Sequence, residues 1–415
     1  MDDKAAPGSP DYDVSIVGGG MVGASLAVAL GPTGLRIAVI EAVALGDAGQ
    51  PSYDDRSVAL AYGSRRIFEG MGVWPGIEAR SATPIHQIHI SERGKFGFAR
   101  LDRKDTGVEA LGYVIKNRVI GEALLGVMQG FKNISVICPA TMKAIKVGAD
   151  AATVSIEMQG EKQEFRSKLV VIADGGRSDA REKLGIAVRR VDYGQIAVVA
   201  NVSIKNVHHN VAFERFTPNG PVALLPMADK CYSLVWSVNP QEADALLSLS
   251  DDEFLKRLHN HFGDRLSSFV KVGKRDAYPL SLIQVDEHVR SRVALIGNAA
   301  HALHPVAGQG FNLGLRDVAV LAQVLCDGHD AGQDMGGRLL LEHYARWRKR
   351  DNFVVTSFTN GLVRVFSNDF FPLTVVRNVG LIAVDLFPPL KRSLVHRTMG
   401  LAGKLPRLAR GLSLQ

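Results

Sequence analysis

A glycine-rich turn between a short strand and a helix constrains the fold more than any other feature of the sequence. Residues 13–17 form an apolar, β-branched run, the turn GGGMVG follows at 18–23, and an alanine-rich helical pattern continues to about residue 30. A second strand is predicted at 36–40 and ends on Glu41, 18 residues after Gly23. A GxGxxG turn between strand and helix, with an acid about 20 residues later, is typical of a Rossmann-type dinucleotide site.

Each glycine of this turn has a separate mechanical task. Gly18 permits the tight turn, Gly20 lets the backbone approach a pyrophosphate, and Gly23 lets the helix pack on the strand. The helix N-terminus supplies N–H groups and positive potential to the phosphates. The acid at Glu41 favours an unphosphorylated adenosine ribose, so the pattern predicts FAD or NAD rather than NADP. The alternative is an ordinary glycine-rich loop.

A second strand–loop–helix unit follows nearly 300 residues later. One strand is predicted at 168–173, before Asp174 and Gly175, and another at 292–296. The second is followed by the block GNAAHALHPVAGQGFNLGLRD at 297–317, and a helical pattern continues to about residue 325. Charge-free, glycine-rich backbone of this kind suits close approach to a large cofactor.

The same residues allow two other interpretations, a metal centre and a hydrolase. His301 and His304 have a spacing that could suggest a metal pair, but no third ligand is visible and Pro305 interrupts, so no metal site is expected. Asp174, Ser178 and His301 could be read as a hydrolytic triad, but the sequence contains no GxSxG elbow. Neither a metal centre nor a hydrolase is therefore predicted.

Together these motifs resemble the class A FAD-dependent aromatic hydroxylases and, within them, the ubiquinone-biosynthesis hydroxylases. The resemblance spans nearly the whole chain and rests on the GxGxxG turn with Glu41, on Asp174-Gly175, and on the block at 297–317. Three segments are most similar to the 2-polyprenyl-6-methoxyphenol hydroxylase branch: DRSVAL at 55–60, GVW at 72–74 and ALGYVI at 110–115.

The resemblance implies FAD as the cofactor and a specific set of residues that bind it. The turn and Glu41 would hold the ADP half, Arg56 and Arg118 would lie along the phosphate and ribityl region, and the loop from Pro305 to Asn312 would bring N–H groups to the isoalloxazine ring. Asp174 would lie between the flavin and the nicotinamide. The expected cofactor-binding residues are Gly18, Gly20, Val22, Gly23, Glu41, Arg56, Arg118, Asp174, Gly297, Asn298, Pro305, Gly308, Gln309, Gly310, Phe311 and Asn312.

Two of these residues carry qualifications. Asn298 stands where the broad family has Asp and would hydrogen-bond the ribityl chain. The amide keeps an acceptor oxygen but loses a charge, so FAD binding is expected to survive, weaker or with altered flavin mobility. The alternative reading of Arg56 is a surface charge at a helix start.

The middle of the chain has a different pattern, in which strands follow one another without alternating helices. Such runs favour an antiparallel sheet rather than a second Rossmann unit. The predicted fold class is α/β (α+β): a Rossmann-like FAD-binding domain (1–80, 106–186 and 284–350), an inserted antiparallel-sheet substrate domain (81–105 and 187–283) and a C-terminal helical segment (351–415). No second GxGxxG and no CxxC occur, so NADH or NADPH is expected to visit transiently as the electron donor.

Most of the net charge of +7 lies in the C-terminal segment, where residues 352–415 carry eight basic and two acidic side chains. Basic and apolar helices punctuated by proline are typical of an interfacial segment on anionic lipid. The alternative is a helical subdomain packed on the FAD-binding fold, and both can hold. No nucleic-acid-binding motif accompanies the charge. Three widely spaced cysteines and a non-basic N-terminus predict a cytoplasmic protein. With the C-terminal segment as an interfacial segment, the expected location is peripheral, at the inner face of the membrane.

The resemblance implies a monooxygenase that hydroxylates the aromatic ring of a polyprenyl phenol in ubiquinone biosynthesis, using NAD(P)H and O2 through a flavin C(4a) hydroperoxide. Association with other quinone-biosynthesis proteins is a further expectation. The alternatives are a flavin-dependent reductase of isoprenoid lipids and a non-catalytic flavoprotein scaffold in a quinone-biosynthesis assembly. No catalytic residue can be named from the sequence.

Overall fold

The computed structural model describes residues 9–44, 54, 56–263, 266, 268–304, 308–366 and 371–414. The strands in this part of the chain are β1 (Tyr12–Val17), β2 (Ile37–Ile40), β3 (Ser57–Ala61), β4 (Thr83–Ile85), β5 (Gln87–Glu92), β6 (Phe98–Asp102), β7 (Gly112–Lys116), β8 (Ile134–Ile137), β9 (Thr141–Val147), β10 (Ala152–Met158), β11 (Glu161–Ile172), β12 (Val188–Ile204), β13 (Val211–Thr217), β14 (Gly220–Pro226), β15 (Cys231–Val238), β16 (Phe269–Val272), β17 (Asp276–Val285), β18 (Val289–Arg290), β19 (Val293–Leu295) and β20 (His301–Ala302). The helices are α1 (Met21–Leu30), α2 (Tyr62–Gly70), α3 (Trp74–Glu78), α4 (Asn117–Met128), α5 (Asp179–Lys183), α6 (Pro240–Ser248), α7 (Asp251–Phe262), α8 (Gln309–Asp330), α9 (Arg338–Phe366), α10 (Phe371–Leu386) and α11 (Pro388–Thr398).

The first sheet is centred on the strands predicted around the glycine turn. β1 lies between β2 and β11 and is parallel to both, and β8 and β19 extend the parallel strands outward. Both faces of these strands are buried, which explains their nearly continuous apolar sequence. Helices α1, α4 and α8 cover one face, and the antiparallel strands β9 and β10 cover the other.

The second sheet is the predicted inserted sheet. Its strand order is β20-β17-β12-β15-β14-β13-β5-β6, with β16 paired to β12. Its pairs are antiparallel except for β13 and β5, which run parallel. That parallel pair arises because β5 comes from the first third of the chain rather than from a neighbouring hairpin. A small third sheet, β3-β7-β4, lies beside it.

The α/β class is confirmed, and so are the strands predicted at 13–17, 36–40, 168–173 and 292–296. Helix α8 continues five residues beyond its predicted end, to Asp330. Arg56 does not begin a helix but directly precedes β3, so the alternative reading of this residue as a charge at a helix start is wrong.

The C-terminal helices pack on the sheets through buried polar contacts. On α10, Arg377 forms a doubly hydrogen-bonded ion pair with Glu92 at the end of β5, and both side chains are buried. Beside them, the Asn378 side chain accepts from the Gly97 N–H (2.9 Å) and donates to Glu92 (2.9 Å). The packed helical subdomain that the sequence left as one alternative is therefore present.

Several basic side chains of this segment are neutralised by acids of the body. Besides Arg377, Lys391 lies 3.4 Å from Asp105, and Arg407 pairs with Asp327. The charge that the segment can present to a partner is correspondingly smaller than its sequence predicts. Among the described residues, no helix combines the length and apolar character needed to cross a membrane.

Candidate functional site

A cavity of about 1150 Å³ lies between the parallel sheet and the second sheet. Its lining includes the carboxyl ends of β1, β2 and β11, the N-terminus of α8, and one face of β5, β13 and β14. Helices α9, α10 and α11 close the far end. Ligands of α/β sheets bind at the carboxyl ends of the strands, so this cavity is the candidate site.

Most of the residues expected to bind the cofactor line this one cavity. They are Gly18, Gly20, Val22, Glu41, Arg56, Asp174, Asn298, Gly308, Gln309, Gly310, Phe311 and Asn312. Gly23 and Gly297 are not part of the lining. A Cβ on Gly297 would lie 3.0 Å from the Val22 Cγ1, so this glycine lets the loop pack closely on α1. Arg118 is exposed in the first turn of α4 and is not part of the lining. Pro305 lies outside the described residues.

The glycine turn and Glu41 form one unit at the carboxyl ends of β1 and β2. Gly18 has φ +103°, a conformation that favours glycine, and a Cβ there would lie 2.6 Å from the Ala173 carbonyl oxygen. A Cβ on Gly23 would lie 1.9 Å from the Gly18 carbonyl oxygen. The buried Glu41 carboxylate accepts the Gly19 N–H at 2.7 Å, which fixes its position at the mouth of the turn.

Two helix N-termini meet the cavity. Within the described chain no side chain caps α1 at Gly20 or α8 at Gly308. A helix N-terminus that faces a cavity in this way offers positive potential to an anionic or polar ligand. Gly308 has φ +60°, and a Cβ there would lie 3.0 Å from the Ala59 Cβ. The Asn312 amide donates to the Ala59 and Gly308 carbonyls and accepts the Ala61 N–H, all within 2.8 Å. Its visible role is thus to hold the start of α8 against β3.

The loop that follows β19 is anchored from behind by a buried network that sequence reasoning missed. The Asp317 carboxylate is 0% exposed and accepts from the Gly297 N–H (3.0 Å), from the His301 Nε2 (2.6 Å) and from the Arg348 Nε (2.7 Å). Burial alone would raise the pKa of Asp317, but His301 and Arg348 outweigh it and hold that pKa well below its usual range. Asp317 ends the block at 297–317, but the sequence predicted no specific role for it. The available signal was its place, next to Arg316, at the end of a block that has no other formal charge.

One carboxylate oxygen of Asp174 lacks a hydrogen-bond partner among the described residues. Its Oδ2 accepts the Ala180 N–H at 3.0 Å, while its Oδ1 is buried and has no hydrogen-bond partner in the described part of the protein. Burial raises the pKa of Asp174. A buried acceptor without a partner is costly, so this atom points to a ligand that donates a hydrogen bond or brings water.

These features fit a dinucleotide of the size of FAD. Close backbone approach at the glycine turn, two uncapped helix N-termini and the Glu41 carboxylate occur along one wall of the cavity. Asn298 lies on this wall between them and is solvent-exposed, so its amide is accessible to a cofactor. The role of each residue toward the cofactor remains a prediction.

The remainder of the cavity is largely apolar. Its lining on this side is Ile85, Ile88, Ile90, Leu101, Leu111, Ala212, Phe213, Glu214, Phe216, Ala223, Leu225, Val235, Phe358, Leu362, Val365, Phe366, Arg377, Gly380, Leu381, Val384, Leu394 and Thr398. Only two of these side chains are ionisable, Glu214 and Arg377. Sequence reasoning missed both, although the alternation around Glu214 on β13 was a usable signal.

Comparison with known proteins places the chain among flavoproteins. Residues 11–355 match the family model described as an FAD-binding domain. The chain is 38% identical over 408 residues to a Rhodospirillum rubrum protein named ubiquinone hydroxylase UbiL, covering 97% of this chain and 93% of that protein. It is 32% identical over 393 residues to 3-demethoxyubiquinol 3-hydroxylase of Escherichia coli, covering 94% and 98% of the two chains.

Two solved structures share the fold at low sequence identity. p-Nitrophenol 4-monooxygenase PnpA of Pseudomonas putida matches with a TM-score of 0.78 at 21% identity, over 95% of this chain and 98% of that one. PqsL of Pseudomonas aeruginosa, in complex with 2-aminobenzoylacetate, matches with a TM-score of 0.75 at 22% identity, over 89% and 99%.

Proposed function

Because the chain belongs to the FAD-binding family that includes the ubiquinone-biosynthesis hydroxylases, and is an FAD-dependent monooxygenase, we propose that it hydroxylates the aromatic ring of a polyprenyl phenol. NADH or NADPH would be the electron donor and O2 the source of the added oxygen atom. The observation that carries this proposal is one cavity that is polar and glycine-rich at one end and apolar at the other.

The polar end would hold FAD, which supplies hydride acceptance and oxygen activation when bound. The residues of the chain do the positioning. The N-terminus of α1 would face the pyrophosphate, Glu41 would accept from the ribose hydroxyls, and Asn298 would accept from the ribityl chain. The N-terminus of α8 would direct N–H groups at the flavin ring.

The apolar end suits a prenyl chain, because isoprene units offer no hydrogen bonds and gain by leaving water. Each buried CH2 group contributes about 0.8 kcal/mol, so a long wall of Ile, Leu, Val and Phe side chains selects an isoprenoid tail. The same wall excludes water from the region where the ring would react.

We also infer that the protein takes its substrate from a lipid surface. Phe358 on α9 lines the cavity and is 36% exposed, so we propose that the cavity opens to the surface at this helix. Other exposed apolar side chains lie on α9, on α10 and at the α10–α11 junction: Phe353, Val354, Val375, Val376, Val379, Leu386, Phe387 and Leu390. Several large apolar side chains left exposed on consecutive helices are typical of a protein or membrane contact.

The hydroxylase proposal is tested with purified FAD-loaded protein, a short-chain prenyl phenol, and NADH or NADPH. We expect substrate-dependent oxidation of the nicotinamide and a product heavier by one oxygen atom. A product with added hydrogens would instead identify a reductase of isoprenoid lipids. Absence of substrate-dependent oxidation would favour a non-catalytic scaffold.

The pathway is tested by the quinone intermediates of cells that lack the protein. Accumulation of a polyprenyl-methoxyphenol is expected, and unchanged quinone levels would contradict the ubiquinone assignment. Association with other quinone-biosynthesis proteins remains a prediction that co-purification from cells would test.

The lipid-surface proposal is tested by flotation with vesicles of mixed anionic and zwitterionic phospholipid. Val376→Ser on α10 should reduce the bound fraction. Val270→Ser, which changes a similarly exposed valine on β16, should not. Equal binding of both variants and the wild type would contradict the assignment of the contact to α9 and α10.

A further inference from the structure

The C-terminal helices close the far end of the cavity with side chains that are mostly buried or half-buried. The lining residues of α9, α10 and α11 are Phe358, Leu362, Val365, Phe366, Arg377, Gly380, Leu381, Val384, Leu394 and Thr398. Among these residues only Phe358 and Gly380 are exposed. Phe358 still covers its position with a large ring, whereas Gly380 on α10 has no side chain with which to close the wall.

Gly380 lies on the face of α10 that lines the cavity. Arg377 and Val384, three residues before it and four residues after it, also line the cavity, so the three positions share one helix face. Beyond its own stretch of helix, a Cβ on Gly380 would meet no heavy atom of the described residues within 4 Å. Close packing therefore does not require a glycine here, and the position is a gap in the wall.

The neighbouring positions of α10 are filled by packed side chains. Leu381 packs in a hydrophobic cluster with Phe366 of α9, and Val384 packs in a separate cluster with Val395 of α11. Gly380 directly precedes Leu381 and lies one turn before Val384, so it adjoins both clusters on the helix surface. Side chains thus close the wall around this position, and the gap is confined to Gly380.

A long isoprenoid tail needs an opening of this kind. The cavity of about 1150 Å³ has to hold the cofactor and the aromatic ring as well as the tail. Val376, one turn before Gly380, is 66% exposed, so α10 presents an apolar surface outside the gap too. Isoprene units that pass Gly380 would remain beside apolar side chains and reach the helix surface that we propose to contact lipid.

Resting on the proposed function, we propose that the prenyl tail of the substrate leaves the cavity beside Gly380, and that the missing side chain at this position allows long tails to bind. The ring and the first isoprene units lie inside the cavity. The later units pass over Gly380 toward Val376 and the surface of α10. Gly380 is then a specificity-determining residue, because it acts on the length of the tail and not on the ring.

The test compares two prenyl phenols that have the same ring, one with a single isoprene unit and one with several. Each is titrated in the same detergent into the FAD-loaded protein, under anaerobic conditions without nicotinamide, and the dissociation constants are measured by calorimetry. Burial of one CH2 group corresponds to about a fourfold gain in affinity, so Gly380→Phe should weaken binding of the long-tailed phenol by at least about tenfold. Binding of the short-tailed phenol should not change, and Gly380→Ala should have a smaller effect on the long-tailed one.

The control variant is Gly361→Phe, which makes the same change on α9. A Cβ on Gly361 would also meet no described atom within 4 Å, but this residue is not part of the cavity lining, so both affinities should be kept. An unchanged ratio of the two dissociation constants in Gly380→Phe would overturn the proposal. An equal loss of affinity for both phenols, or the same change of ratio in Gly361→Phe, would overturn it as well.

Two further outcomes separate this proposal from the proposed function. Wild-type protein that binds neither phenol would refute the proposed function and with it the tail exit. Wild-type protein that binds both phenols equally tightly would overturn the tail exit alone. Should Gly380→Phe fail to fold, Gly380→Leu provides the same comparison with a smaller side chain.

Discussion

Asp317 offers the sharpest test of how the cofactor end of the cavity is held. Asp317→Asn preserves the shape of the side chain but removes its charge and one of its two acceptor atoms. In the protein that carboxylate accepts from the Gly297 N–H, from His301 and from Arg348. The amide of the variant can accept only some of these three hydrogen bonds, and it leaves less negative charge beside the Arg348 guanidinium.

The expected loss of stability follows from the burial of the Asp317–Arg348 ion pair. Removing one partner of a buried ion pair costs about 3 to 5 kcal/mol. Arg348 keeps Asp351 and Asn352 as partners, so we expect the lower end, about 3 kcal/mol. An unfolding entropy of about 2.1 cal/mol/K per residue gives roughly 0.9 kcal/mol/K for 415 residues, and the melting temperature should then fall by about 3 °C.

The pH dependence adds a second signature. The pKa of Asp317 in the folded protein lies below its ordinary value of 3.8, so its ionisation contributes stability above that pH, and this contribution is lost as the pH falls below it. The difference in stability between wild type and variant should therefore be largest near neutral pH and shrink below about pH 4.

The assay is the thermal unfolding of the FAD-loaded protein, followed by flavin fluorescence and by circular dichroism. Asp327→Asn is the matched control, because it removes the same charge from a partly exposed pair with Arg407 and should cost less than about 1 kcal/mol. The Asp317 variant should also lose FAD more readily, since Gly297 would be held less firmly. Equal melting temperatures of the two variants would refute the reasoning.

The glycine turn, residue 298 and one buried histidine give further measurable expectations. Gly23→Ala should abolish FAD retention during purification, because its Cβ would meet the Gly18 carbonyl oxygen at 1.9 Å; Gly126→Ala, which has open space on α4, should retain FAD as measured by flavin absorbance per protein. Asn298→Asp should tighten FAD binding by about 1 kcal/mol, roughly fivefold, if residue 298 accepts from the ribityl chain, and weaker binding in equilibrium dialysis would contradict that role. Burial lowers the pKa of His304 from 6.5 to about 4, so its neutral form contributes stability above pH 6.5 that is lost as the pH falls through 4. His304→Gln should reduce the difference in free energy of unfolding between pH 7 and pH 4.5 by up to about 3 kcal/mol, measured from urea midpoints. An unchanged difference between the two pH values would contradict this role of His304.

The features that the sequence predicted well are those set by neighbours along the chain. The strand, glycine turn and helix at 13–30 appear as expected, because apolar periodicity and the backbone freedom of glycine act within a few residues. The block at 297–317 was recognised as part of the cofactor region for the same reason. Its Asn298 and the start of α8 do line the cavity.

Contacts between distant parts of the chain were not predicted. Arg377 and Glu92 are separated by 285 positions, and Arg348 and Asp317 by 31. Each side chain taken alone is an unremarkable charge, and only the fold shows that both pairs are buried. Arg118 illustrates the converse, since a residue assigned to the cofactor by resemblance is exposed and outside the cavity lining.

The two buried ion pairs change how the C-terminal helices relate to the site. Arg348 on α9 holds the loop of Gly297 at the cofactor end, and Arg377 on α10 holds the wall of the apolar end. Both guanidinium groups are buried, and their partner carboxylates offset the free-energy cost of burying the charge. These two arginines therefore help to shape the cavity from both ends. We therefore expect the proposed attraction of these helices to a lipid surface to depend in large part on their exposed apolar side chains.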